Sequence, residues 1–328
     1  MSVLQRRTGP VPGDRLLLAV LIVLIVGTPT VFLRTVMRPF TVPQITFLWA
    51  VAVVILFIGF YRVAVSGVFY RGPLPLTVAS GTFVAALVTT TIVSPQPWVA
   101  FTGLSARGAG ALTYLLCIAL LHAAYGLSRR RSAEPLVLAF VTTHALVVLY
   151  ALLQAYGLDP ILWGVDASQV GNLVFSTLGN ANFSSGYVGL TLPLLVWVAF
   201  GSPYPPVARV AGGAAIGASV VALVYLNSFQ GQVAALAALA VLVQWAMTRG
   251  RQGRLLAGLT VLPVAVVIAG LPLVLVAPGE LPLLGVMAAL AACTGFGVLH
   301  DRKSVNRMNG EPDEATDGWF WPAGASGL

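Results

Sequence analysis

Apolar runs long enough to cross a bilayer recur from residue 16 to residue 299, and they constrain the fold before any motif does. A helix needs about 20 apolar residues to span the hydrocarbon core, roughly 17 to 25 when tilt is allowed. Cut at charges, prolines and glycines, the chain yields runs at 16–33, 42–60, 74–94, 109–127, 136–157, 186–201, 208–226, 231–248, 255–277 and 281–299. Lipid offers no hydrogen bonds, so a chain that crosses it must satisfy its own backbone, as helices or as a closed barrel. Barrel strands are short and alternate in polarity, whereas these runs are continuous. The predicted fold is therefore all-α, a polytopic transmembrane helix bundle of nine or ten spans covering 16–299. Residues 1–15 read as a cytoplasmic N-terminus, 157–185 as an outward loop and 300–328 as a polar tail.

The balance of residue types excludes several classes of function. At 58% hydrophobic and 9% charged, with a mean hydropathy of +0.91, the chain is far from the quarter or so of charged residues usual in soluble domains. A soluble enzyme and a secreted disulfide scaffold are excluded, and Cys117 and Cys293, each alone in an apolar run, read as buried packing residues. The formal charge of +8 is topological: all but Lys303 of the 18 basic residues are arginine, and they cluster at the ends of the runs. No basic stripe with interleaved aromatics appears, so no nucleic-acid partner is expected.

A cytoplasmic start places Arg6, Arg7, Arg15, Arg62, Arg71, Arg129, Arg130, Arg131, Arg209, Arg249, Arg251 and Arg254 inside. Only Arg34, Arg38 and Arg107 fall outside, which is the asymmetry the positive-inside bias produces. A cleaved signal peptide is not expected, because the first run is long and no small-residue cleavage site follows it cleanly.

The interiors of these runs hold no Asp, Glu, Lys or Arg, leaving His122 and His144 as the titratable candidates for an ion pathway. On an otherwise apolar helix a hydrogen-bonded packing histidine is the simpler role. Gly213 and Gly217 have the small-xxx-small spacing that lets helices approach closely. No zinc, P-loop, serine-hydrolase or paired-cysteine pattern occurs, so neither metal nor cofactor is expected.

Polar chemistry concentrates in three stretches assigned to the outward side. Residues 175–195, FSTLGNANFSSGYVGLTLPLL, join a turn at Gly179, Asn180 and Asn182 to a helix expected to begin near Gly186, with Asn182 or Ser184 as cap. The free N–H groups of such a helix start favour an anion, including a pyrophosphate, although an ordinary capped turn has the same sequence. At 227–232, Ser228, Gln230 and Gln232 are hydrogen-bond donors for sugar hydroxyls or phosphate, and Gly231 permits close approach; a polar hairpin satisfying helix ends reads the same way. In 100–114, AFTGLSARGAGALTY, Arg107 stands against the charge bias. Together with Arg34 and Arg38 it suits either a ligand phosphate or lipid phosphates.

In this order, the three stretches resemble the O-antigen ligase and polymerase family of bacterial envelope glycan enzymes. STLGNANFSSGYVGLTLPLL is similar to the family's Leu-Gly-Asn-x-Asn-Phe turn and Leu-Pro-Leu helix, with Ala181 where proline is common. ARGAGALTYLL resembles the upstream Arg-x-x-Gly-x-x-x-Tyr element, and NSFQGQVAALAALAVLV the downstream Ser-Arg-Gly or Ser-x-Gln-Gly turn and helix. The resemblance spans roughly residues 95 to 250 and implies a transferase of the bacterial inner membrane. Its partners would be an undecaprenyl-pyrophosphate-linked oligosaccharide donor, a glycan acceptor and membrane lipids, with no metal. Arg107, Asn180, Asn182, Ser228 and Gln230 would bind pyrophosphate and glycan.

The family's catalytic histidine belongs to a long external loop, and Gln230 stands where an arginine is usual. SVNRM and WFWPAG in the tail resemble elements preceding that loop, so the chain reads as an incomplete member in which no catalytic residue is assigned. The external carboxylates are Asp159, Asp166 and Glu280, and the chain alone is not expected to catalyse transfer. A small-molecule or lipid carrier and an inactive remnant are the competing readings. A carrier should place titratable groups at mid-membrane depth, whereas a transferase gathers polar groups at one face.

The arginine partition predicts that reporter fusions at the N-terminus and at Arg130 are cytoplasmic and that a fusion within 157–185 is external. An external signal at Arg130 overturns the topology.

Overall fold

The structure, a computed structural model, describes residues 13–67, 72–104, 108–128, 133–161, 163, 174–200 and 204–235. Among them are eight helices and no strand: α1 Asp14–Thr30, α2 Thr41–Ser66, α3 Leu74–Val93, α4 Pro97–Thr102, α5 Ala111–Ser128, α6 Glu134–Ala155, α7 Ala181–Phe200 and α8 Pro206–Leu226. A further helical stretch occupies 229–235. Helices α2, α3, α6, α7 and α8 are long and apolar enough to cross a membrane, which makes this an all-helical, multi-pass membrane protein. The first seven expected spans each coincide with one helix. The runs at 255–277 and 281–299, and most of 231–248, lie outside the described residues.

Among α1 to α5, two features of the helices differ from expectation. Helix α2 continues past residue 60 to Ser66 and so contains Arg62, which was assigned to a loop. The reason is electrostatic: Arg62 Nη2 donates to Asp14 Oδ1 at the start of α1, and Asp14 is fully buried. A paired guanidinium is compatible with a helix that runs on, and Gly67, left-handed at φ 64°, then ends it by donating to Val63 O. The second difference is α4, a short helix inside the Ser94–Gly108 connection, started by Pro97 and closed by Gly103 at φ 83°.

The chain divides into two compact units, 1–139 and 140–328. In the first, Leu17, Leu21 and Leu24 form one stripe of α1 and bury against Ile55 and Ile58 of α2 and Leu127 of α5. The Phe47 ring of α2 occupies the space that any side chain at Gly27 of α1 would need. Trp49 Nε1 donates to Thr113 Oγ1 at 2.9 Å, linking α2 to α5, and His122 Nε2 lies 3.0 Å from Ser80 Oγ, linking α5 to α3. His122 is thus a hydrogen-bonded histidine within the helix packing, whereas Cys117, also on α5, is exposed instead of buried.

In the second unit α7 and α8 pack along their length. Val188, Leu192, Leu195, Val196 and Ala199 of α7 bury against Ile216, Val221, Ala222 and Leu226 of α8, with Val147, Val148 and Ala151 of α6. Gly212, Gly213 and Gly217 are all buried, and a β-carbon at Gly212 would sit 3.3 Å from Ala199. The close approach of α8 to α7 is thus at Gly212, beside the Gly213 and Gly217 pair singled out from spacing. Arg209 Nε donates to Ala199 O at 3.0 Å, a cation on one of the last carbonyls of α7.

The Asp14–Arg62 pair ties α1 to α2, and removing one partner leaves a buried charge behind. Arg62→Ala is expected to lower stability in detergent by about 3 kcal/mol in denaturant titrations. A loss no larger than that of an exposed arginine would show that the pair contributes nothing.

Candidate functional site at the start of α7

The stretch 174–185 is held against α6 by hydrogen bonds of the Gln154 and Ser176 side chains. Gln154, in the last turn of α6, uses its Oε1 to accept from Phe175 N at 3.0 Å and Ser176 N at 2.8 Å, and its Nε2 to donate to Asp159 Oδ2 at 3.0 Å. Ser176 is fully buried, and its Oγ donates to Val147 O at 2.6 Å. Its backbone is left-handed, φ 55°, a conformation that few residues other than glycine adopt. Gly179, at φ 70°, closes the turn by donating to Ser176 O at 3.2 Å. Ser184 then anchors the start of α7 by donating from Oγ to Phe175 O.

Helix α7 begins at Ala181 instead of near Gly186, and its cap is Asn180 instead of Asn182 or Ser184. Asn180 Oδ1 accepts from Asn182 N at 2.8 Å, and Ser184 N donates to Asn180 O at 2.9 Å, the first intrahelical bond. The short side chain of Asn180 reaches the orphan N–H of the second helical residue. The apolar pattern could not show this, because the first turn of α7 is polar.

Asn182 Oδ1 accepts from Ser228 Oγ at 2.8 Å. This bond joins two stretches that the sequence places 46 residues apart. Asn227, left-handed at φ 45°, ends α8 and turns the chain so that Ser228 meets α7. Glycines make the approach possible: a β-carbon at Gly231 would strike Ser185, and one at Gly189 would strike the Gly231 carbonyl. Around this junction Asn180, Asn182, Asn227, Gln230 and Gln232 are exposed, as are Phe183 and Phe229, at 65% and 78%. The described surface is thus made of side-chain amides and two phenylalanines, without a charged group.

Of the five residues singled out from sequence, Asn180, Asn182, Ser228 and Gln230 come together here. Asn180 Oδ1, Asn182 Oδ1 and Ser228 Oγ are occupied in building the junction, and Gln230 is exposed. Arg107 lies outside the described residues. Its flanks show why the surrounding sequence is glycine-rich: Gly103 and Gly110 cross so closely that a β-carbon on either would meet the other's backbone. Beside this crossing is an open cavity of about 570 Å³ lined by Ser94, Gln96, Val99, Gly103, Leu104 and Ala109.

Sequence reasoning named Asp159 only as one external carboxylate. It is the hub of a network: Oδ1 accepts from Ile161 N at 2.9 Å and Tyr150 Oη at 3.0 Å, and Oδ2 accepts from Gln154 Nε2 at 3.0 Å and Trp163 Nε1 at 3.1 Å. Trp163 also packs edge-on against Phe175, with ring centroids 5.5 Å apart. The carboxylate takes four donors, so Asp159 anchors the chain after α6. Asp166 and Glu280 lie outside the described residues. Among the described residues no three His, Cys, Asp or Glu side chains gather as metal ligands would.

No family model matches the chain, and no curated protein or solved structure matches it.

The crossing of α7 with 229–235 predicts opposite outcomes for neighbouring glycines. Gly189→Ala is expected to destabilise the protein by about 2 kcal/mol through overpacking. Gly186→Ala, whose β-carbon meets nothing within 4 Å, should be neutral or stabilising by up to about 1 kcal/mol through helix propensity. Thermal unfolding of both variants in detergent checks this, and equal losses would contradict the close approach.

Proposed function

We propose that this chain is a glycan transferase-like protein of the O-antigen ligase or polymerase type, an incomplete member that binds the substrate without completing the transfer alone. It would lie in the bacterial inner membrane with nine or ten spans and handle undecaprenyl-pyrophosphate-linked oligosaccharide at the outer leaflet. The observation that carries the reading is the Asn182–Ser228 hydrogen bond, which brings two of the three family-like stretches into one surface.

The chemistry of that surface supports the sugar side of the reaction. Amide groups both donate and accept, which matches hydroxyls that do the same. Exposed phenylalanines give the apolar faces of sugar rings or the lipid chain a place to rest. A diphosphate needs cations, and Arg107 is proposed for that task on the family resemblance alone. Asn180, Asn182 and Ser228 set the shape of the surface, while Gln230 and Gln232 contact the glycan. Transfer also needs a base near the acceptor hydroxyl. The residues around the junction are proposed for substrate binding and orientation.

Binding to the purified protein in nanodiscs should be compared for undecaprenyl pyrophosphate with and without its oligosaccharide. The glycan-bearing lipid is expected to bind more tightly. Gln230→Ala should remove about threefold to tenfold of that advantage, the worth of one neutral hydrogen bond. Arg107→Ala should weaken both lipids alike. Equal binding of the two lipids to the native protein, or no effect of either substitution, would defeat the proposal.

A further inference from the structure

The core of the second unit contains one polar junction that the proposed function does not use. His144, near the middle of α6, is fully buried, and its two ring nitrogens face hydroxyls on two different helices. Nδ1 lies 2.6 Å from Thr191 Oγ1 on α7, and Nε2 lies 2.7 Å from Ser219 Oγ on α8. Each hydroxyl is also placed to donate along its own helix, Thr191 to Tyr187 O and Ser219 to Ala215 O, both at 2.6 Å.

These four contacts cannot all be hydrogen bonds at once on a neutral ring. A hydroxyl has one proton. If both hydroxyls donate to their helix carbonyls, both must accept from the histidine, and only a doubly protonated, charged ring has two N–H groups. Such a charge would sit in an apolar core formed by Val147, Val188, Leu192 and Val221. No acidic residue occurs in α7 or α8, and α6 has only Glu134, at its first position. An unpaired buried charge is far more costly than one missing hydroxyl bond.

We infer that His144 is a neutral junction that donates to one of Thr191 and Ser219 and accepts from the other, so that three of the four hydrogen bonds exist together. The hydroxyl that donates to the ring gives up its helix carbonyl. In one tautomer the Nε2 proton goes to Ser219, which keeps its bond to Ala215, while Thr191 turns to Nδ1. In the other tautomer the roles are exchanged.

The location gives the junction its use. Pro193 lies inside α7 and has no N–H, so the Gly189 carbonyl loses its intrahelical donor. Thr191 is two residues before Pro193, on the side of α7 that carries Asn180, Asn182 and Ser185. His144 therefore fixes that half of α7 to α6 and α8 at the point where the helix's own ladder is interrupted. It is a positioning residue, and this holds whether or not the surface above it binds glycan.

The bond count gives a test independent of ligand. The native junction has three hydrogen bonds, Thr191→Val and Ser219→Ala each retain two, and the double variant retains none. The loss of unfolding midpoint in the double variant is therefore expected to exceed the sum of the two single losses. An additive result overturns the junction. Nitrogen-15 spectra of histidine-labelled protein in bilayers, with the His144 signal identified by its loss in His144→Gln, supply a second readout. The native ring should be neutral. Thr191→Val should leave only the Nε2–H form and Ser219→Ala only the Nδ1–H form, whereas Thr191→Ser should retain the native spectrum. A charged native ring, or the same tautomer in both hydroxyl-deleting variants, overturns the proposal without reference to glycan binding.

Discussion

A polar atom placed among apolar helices has to find its partner within the protein, and in the second unit that requirement falls on Gln154. One amide group joins the end of α6, the Asp159 loop and the 175–176 turn. Without it, two backbone N–H groups and a carboxylate would each lose a partner, at a cost of about 1 to 3 kcal/mol per buried group left unsatisfied. The left-handed backbone at Ser176 is held the same way, by the bond from its own Oγ to Val147 O. The position of Asn180, and with it the start of α7, follows from this anchoring.

The helices were legible in the sequence because hydropathy and length are sufficient in lipid, where backbone satisfaction leaves few alternatives. Ends were less legible. The extension of α2 through Arg62 depends on Asp14, which lies 48 residues away, and no local pattern encodes that pairing. The first turn of α7 was missed because Ala181 to Ser185 reads as loop by composition, while its helical state is set by the Asn180 cap and the packing of Ser185 on Gly231. Of the site, the identity of the polar stretches was legible and their pairing was not. Asn182 and Ser228 meet only because α7 and α8 run back along each other and Asn227 turns the chain at the end of α8.

The site also shows how polar residues in a membrane protein divide their tasks. Asn180, Asn182, Ser176, Ser184 and Ser228 build backbone and junctions, leaving Gln230, Gln232, Phe183 and Phe229 as the exposed chemistry. A list of polar residues at a helix end therefore overstates how many are available to a ligand. Asp159 makes the same point for carboxylates, since four donors already occupy it.

The close pairing of α7 with α8 bears on how the chain enters the membrane. Helix α7 is the least apolar of the five long helices and the most buried within the protein. It carries Asn182, Ser184, Ser185, Thr191 and Pro193, which a lone helix would have to expose to lipid. With α8 beside it, Gly212 lies against Ala199 of α7, and Arg209 Nε donates to the Ala199 carbonyl. The two helices are thus suited to leave the translocation channel as a pair, so that α8 must be synthesised before α7 is stable in the bilayer.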